Sequence, residues 1–270
     1  MEKKESIYAD WNPWHGCTKI SAGCKHCYVY RQDERYGSGR AANECRKTRA
    51  FGDPVRKKQD GSWFIPPGKI VFTCFSSDFL LEDADPWRDE CWRMMRNRSD
   101  LWFYFFTKRI ERLERVLPPD WGDGYENVLI GCTVENQDRA DFRLPVFTRL
   151  PIKHRSVICA PLLGPIDLTP YLSEGIEEVS VGGESGPEAR PCDFGWVLGI
   201  RDACVAHNVP FRFHQTGANF IKDGKRYRIR RYLQKSQASK AGIDFRIGKD
   251  HIPETAAYRG AEDALTLFDP

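Results

Sequence analysis

Long apolar runs are missing from this chain. The most apolar stretch, Leu101–Phe106, stops before Lys108 and Arg109, far short of a membrane span. The start leads into Tyr8 and Trp11 without the apolar segment of a signal peptide. The ten cysteines are therefore expected as reduced thiols of a soluble, cytoplasmic protein. An excess of one charge is lacking too: 41 Lys and Arg against 38 Asp and Glu leave +3, which excludes a uniform polycation. Internal repeats and low-complexity tracts are absent. So are a nucleotide P-loop, a nucleophile elbow and an HExxH helix, which removes the reaction classes those motifs announce.

What is present begins with WNPWHGCTKISAGCKHCY, where Cys17, Cys24 and Cys27 leave six and then two residues between sulfurs. A tight C-x2-C pair and a third cysteine brought back by a loop suit one soft-ligand centre, and Pro13, Gly16 and Gly23 supply the turns. Three thiolates without a fourth leave an open coordination position, as in an iron–sulfur cluster with a free iron. A structural zinc site would need His15 or His26 as its fourth ligand.

At 270 residues, with 41% hydrophobic and 13% aromatic residues, the chain can bury one large core. Strands are predicted at Ile7–Trp11, Ile70–Phe75, Leu101–Phe106, Val128–Val134, Ser156–Leu162, Glu178–Gly182 and Pro210–His214. Helical stripes fall between them. Trp87, Cys91, Met94 and Met95 follow Pro86; Ile110, Leu113, Val116 and Leu117 make a second; a third starts near Asn136 with Pro145 interrupting or restarting it; Asp193 caps a fourth. This alternation predicts an α/β fold, a complete or partial (β/α) barrel over residues 1–220. An excursion over 38–68 and a basic C-terminal appendage over 221–270 complete the expected organisation.

In such a barrel the functional residues gather at the C-terminal ends of the strands. Ser76, Ser77 and Asp78 follow one predicted strand, Lys108 and Arg109 the next, Thr133 and Glu135 the third; later ends carry Glu184 in GGESG and Gln215. Lys108 and Arg109, facing a pocket, suit a carboxylate or phosphate. Two basic segments, Arg46–Lys58 and Lys222–Arg231, each hold six cations against one acid. Both read as solvated surface or as phosphate-binding segments.

The motifs WNPWHGC, SAGCKHCY, SSDF, FFTKR, GCTVENQ, APLLGPIDL, VGGESGPEARP and WVLGIRDAC together resemble a phage- and prophage-associated three-cysteine-motif family of unknown function, itself akin to radical S-adenosylmethionine (SAM) enzymes. The resemblance spans about Trp11 to Gly217. It departs where Ala160 and the His214-Gln-Thr-Gly217 run replace the family's Glu and its Lys-Gln-Trp-Gly. It implies a radical-SAM-type barrel with an N-terminal cysteine loop. In that scheme Cys17, Cys24 and Cys27 hold a 4Fe-4S cluster, and SAM is received by His26, Ser76, Ser77, Asp78, Lys108, Thr133 and Glu135. Arg109, Glu184 and Gln215 lie on the substrate side, with a nucleic acid or nucleotide as the substrate class and an electron donor such as flavodoxin or ferredoxin. A zinc-containing nucleic-acid-binding protein without catalysis is the alternative expectation, and a barrel kept only as a structural module is a third.

Overall fold

The computed structural model describes residues 6–36, 44–172, 175–247 and 267–268. These fall into two compact units, one within Met1–Ile20, Val29–Cys132 and Arg149–Arg155, the other within Ser21–Tyr28, Thr133–Thr148 and Ser156–Pro270. Parts of the expected excursion and appendage, residues 38–43 and most of 248–270 including Leu265, lie outside the described residues.

In chain order the first unit carries β1 Tyr8–Trp11, β2 Trp14–His15, α1 Tyr28–Tyr36 from its second residue, β3 Arg46–Lys47, β4 Ile70–Thr73, α2 Asp85–Asn97, β5 Trp102–Thr107, α3 Leu113–Val116 and β6 Val128–Thr133 up to Cys132. Parallel ladders join β1 to β4, β4 to β5 and β5 to β6. β6 is buried at every position and β5 at most, as parallel strands covered on both faces must be. Phe79 packs at 4.9 Å from the Trp92 ring and 4.5 Å from Phe105, and Trp92 lies 5.1 Å from Trp121. Each such aromatic pair adds about 0.5–1.5 kcal/mol beyond the area it buries. Buried Arg98 donates to the carbonyl oxygens of Pro54 and Ile65, which ties the 44–66 excursion to the end of α2.

The second unit continues with α4 Gln137–Phe147, β7 His154–Cys159, β8 Ile176–Gly182, β9 Cys192–Asp193, α5 Phe194–Ala206, β10 Phe211–Gln215, β11 Asn219–Lys222, β12 Lys225–Arg228 and α6 Gln234–Lys240. Side-chain caps start two of these helices: Asn136 accepts from the Arg139 N–H, and Asp193 accepts from the Gly195 N–H. Pro145 sits inside α4 and neither interrupts nor restarts it. β7 ends at Cys159, before Pro161, which has no N–H to continue a ladder.

Seven strands form one sheet in the order β1-β4-β5-β6-β7-β8-β10. They are the seven strands expected from the sequence, and their order, with helices in all the connections but that from β7 to β8, is compatible with a partial β/α barrel. Residues 219–240 form more than a polar tail: β12, β11 and β9 make a separate three-stranded sheet, and α6 follows. Phe220 anchors that sheet against Phe194, Phe213 and Phe268. Among the described residues no helix is long and apolar enough to cross a membrane.

Candidate functional site

Within the first unit, the loop holding Cys17 is stitched to the turn that follows β4. Gly16 has φ +103, and a Cβ there would run into the Glu44 carbonyl oxygen, so only glycine fits. The Gly16 N–H donates to the Ser76 carbonyl at 3.3 Å; Ser76 Oγ donates to the Trp14 carbonyl at 2.7 Å; and Ser77 Oγ donates to the Gly16 carbonyl. The turn opens at Cys74, which is buried with φ +64, a costly conformation for a residue with a side chain. Both serine hydroxyls therefore serve the loop.

Asp78 is the joint of this arrangement. Its Oδ1 accepts from the Leu80 N–H at 2.9 Å and from Thr107 Oγ1 at 2.8 Å, and its Oδ2 from the Lys108 N–H at 3.1 Å and Arg109 Nη1 at 3.2 Å. Arg109, itself buried, also reaches Cys17: Nη1 lies 3.8 Å from Sγ, while Nη2 donates to the Thr18 carbonyl at 2.8 Å and to Thr18 Oγ1 at 2.6 Å. Burial opposes the Arg109 charge, yet Asp78, Cys17 and Glu82 outweigh it and hold the guanidinium above its usual range. The Lys108 ammonium has no protein partner among the described residues. His15 Nε2 lies 3.0 Å from Asp33.

Within the second unit, Cys24 and Cys27 sit on consecutive tight turns. The Cys24 N–H donates to the Ser21 carbonyl at 3.0 Å, and the Cys27 N–H to the Cys24 carbonyl at 3.4 Å. Residues three apart in such turns come nearly into line, which presents both thiols from one segment. Glu135, 0% exposed, holds this turn: Oε1 accepts from the Gly23 N–H at 3.3 Å, and Oε2 pairs with Arg143 Nη1 at 2.8 Å. Arg143 Nη1 also donates to the Thr133 carbonyl at 2.7 Å. His26 Nδ1 lies 3.2 Å from Glu188 Oε2.

Glu184 is gripped by Arg190 through two guanidinium nitrogens at 2.9 and 2.6 Å and the backbone N–H at 3.0 Å. Burial opposes its charge, but the Arg190 bonds, with His26 nearby, hold its carboxyl below the usual range. Gln215 Nε2 donates to the Gly183 carbonyl at 2.7 Å. Between Phe213 and Gln215 the β8 ladder shifts register, and the extra residue, His214, is re-aimed over Gly182, where a Cβ would strike its ring. Burial, reinforced by Arg212 and Lys235, pushes this imidazole down to about 4.

The structure thus connects Cys17, Ser76, Ser77, Asp78 and Arg109 in one unit. In the other it connects the Cys24–Cys27 turn with Glu135 and Thr133, and Glu184 with Arg190. Sequence reasoning passed over Arg143, Glu188 and Arg190. Arg143 carried the clearest signal, as a lone cation on the α4 stripe with Ala140, Leu144 and Phe147.

All ten cysteines are free thiols. Among the described residues no three Cys, His, Asp or Glu side chains close on a single metal ion. Thiol chemistry nevertheless sorts the cysteines. Burial pushes Cys45 up to about 11 and Cys192 and Cys204 up to about 12, and it raises Cys74 and Cys91 as well. Protonated thiols are poor ligands. Cys132 and Cys159 are fully buried. Cys17, Cys24 and Cys27 are partly exposed, and a guanidinium lies against Cys17.

Residues 3–248 match a protein-family model, a span that takes in every side chain of the site described above. The chain belongs to DUF5131, a family of proteins of unknown function. The DUF5131 match also includes β11, β12 and α6, so the basic hairpin lies within the family domain. No curated protein and no solved structure matches the chain.

Proposed function

We propose that this DUF5131 protein is an iron–sulfur, SAM-dependent radical enzyme. The observation that carries the reading is the cysteine turn: Cys24 and Cys27 stand partly exposed on a segment held by the buried carboxylate of Glu135, while burial keeps the thiols of five other cysteines protonated. The C-x6-C-x2-C spacing brings in Cys17 as the third ligand. Cys17, Cys24 and Cys27 would hold the cluster, which would supply one-electron reduction of the SAM sulfonium with methionine as the leaving group.

The chain's own residues then divide the work. Arg109 offsets thiolate charge at Cys17 and orders Thr18. Ser76, Ser77, Asp78 and Glu135 act as positioning residues, since their hydroxyls and carboxylates already hold the loops. Lys108 offers its ammonium to the SAM carboxylate, and His26, on the cysteine turn, is the proposed adenine contact. Thr133 remains the proposed ribose contact, Glu184 and Gln215 frame the substrate side, and a flavodoxin or ferredoxin supplies electrons.

Anaerobic purification tests the reading. Iron with acid-labile sulfide, a brown absorbance lost in Cys24→Ala, and SAM binding by calorimetry that disappears with the cluster are expected. Zinc without sulfide would replace this proposal with the zinc-bound, non-catalytic alternative.

A further inference from the structure

We propose that the β11–β12 hairpin and the segment running into α6 form a binding surface for single-stranded nucleic acid, independent of any cofactor. The hairpin is a rigid ribbon. Asp223 and Gly224 take φ 52 and 71 at its tip, as a two-residue Asp-Gly turn requires. The register pairs Asn219 with Arg228, Phe220 with Tyr227, Ile221 with Arg226 and Lys222 with Lys225. Side chains alternate along the strand, so Phe220 and Tyr227 share the core-side face while Arg226 and Arg228 share the other.

Most of its charge is uncompensated among the described residues. Lys222 stands directly opposite Lys225, a like-charge pairing that destabilises a ladder, and the single acid nearby, Asp223, bonds Lys222 at 2.9 Å. Lys225, Arg226, Arg228, Arg230, Arg231 and Lys235 are exposed, and among the described residues none has an acidic partner. Elsewhere in this unit Arg190, Arg201 and Arg212 pair with Glu184, Asp202 and Glu178 at 2.6–3.1 Å. In the other basic segment Arg46, Lys47 and Arg56 lie on Glu44, Glu90 and Asp53. Cations on an edge strand can serve only to prevent strand pairing. Arg230, Arg231 and Lys235 lie beyond β12, on a segment pinned by Thr216 to Gln234, and protect no edge.

An aromatic ring completes the surface. Tyr232 is 59% exposed among these cations, with Arg230 Nη1 3.4 Å from its hydroxyl. Guanidinium forks for phosphates beside an open ring for stacking are the requirements of an unpaired strand.

The test is fluorescence anisotropy of the full chain with a labelled single-stranded oligonucleotide, a duplex of the same sequence, and heparin as a plain polyanion. Single strands should bind at about 50 mM salt, with log affinity falling by roughly 0.7 per phosphate contact for each tenfold rise in salt. The triple variant Arg228→Gln, Arg230→Gln, Arg231→Gln should flatten that slope by about two units. Tyr232→Ala should weaken binding by roughly tenfold and Tyr232→Phe should not. These positions are exposed, so circular dichroism should report folded variants. Absence of binding, or an unchanged slope in the triple variant, overturns the surface. Equal binding of duplex or heparin, with Tyr232→Ala silent, overturns the assignment to unpaired strands.

Discussion

The carboxylate of Glu135 accepts a hydrogen bond from the backbone N–H of Gly23, 3.3 Å away and 112 positions earlier in the chain. Gly23 lies in the turn that carries Cys24, and the other oxygen of the same carboxylate faces Arg143. A buried ion pair thus sets the position of a cysteine turn. Glu135→Gln keeps an acceptor for Gly23 but leaves the Arg143 guanidinium, 1% exposed, without its counter-charge. The expected cost is about 3–5 kcal/mol in urea unfolding, and adding Arg143→Met should recover part of it. A Glu135→Gln protein as stable as its parent would show that the pair does not hold the turn.

Asp78 should prove as intolerant of change. Asp78→Ala strands four donors at once, those of Leu80, Thr107, Lys108 and Arg109, and removes the counter-charge of a buried guanidinium. Loss of about 3–5 kcal/mol is expected in urea melts, whereas Ser76→Ala, which frees one carbonyl acceptor, should cost about 1 kcal/mol.

His214 predicts a pH dependence. Its folded value lies near 4, against 6.5 for a free imidazole, so between those values the unfolded chain binds more protons than the folded one. Stability from this group is fully present above about pH 6.5 and falls on acidification towards pH 4, by about 3 kcal/mol in all. Unfolding measured across that range should show a shallower decline for His214→Asn than for the parent; parallel curves would rule the histidine out as the source.

Two glycines should respond in opposite senses to alanine. Gly16→Ala places a Cβ against the Glu44 carbonyl at a positive φ, so the Cys17 loop must rearrange, with a loss of several kcal/mol in thermal unfolding. Gly199, exposed within α5, has open space where a Cβ would go. Gly199→Ala should raise stability by about 0.5–1 kcal/mol.

Local pattern was enough to read the strands and the helix caps. The Leu101–Phe106 and Val128–Val134 runs announce strands because both faces of a parallel sheet exclude water, and Asn136 and Asp193 announce helix starts because their side chains can accept from N–H groups two or three residues on. The clustering of Ser76, Ser77, Asp78, Lys108, Arg109, Thr133 and Glu135 at strand ends was legible for the same reason. Their partners were not: Ser77 serves Gly16, Asp78 gathers donors from Leu80 and from Thr107–Arg109, and Glu135 chooses Arg143 and Gly23, none of which sequence spacing discloses. The two basic segments make the same point, since each shows six cations and one acid in sequence. Only tertiary structure brings Glu90 to Lys47 and leaves Arg228, Arg230 and Arg231 without acids among the described residues, because ion pairing depends on distance in space and hydrophobic periodicity only on position along the chain.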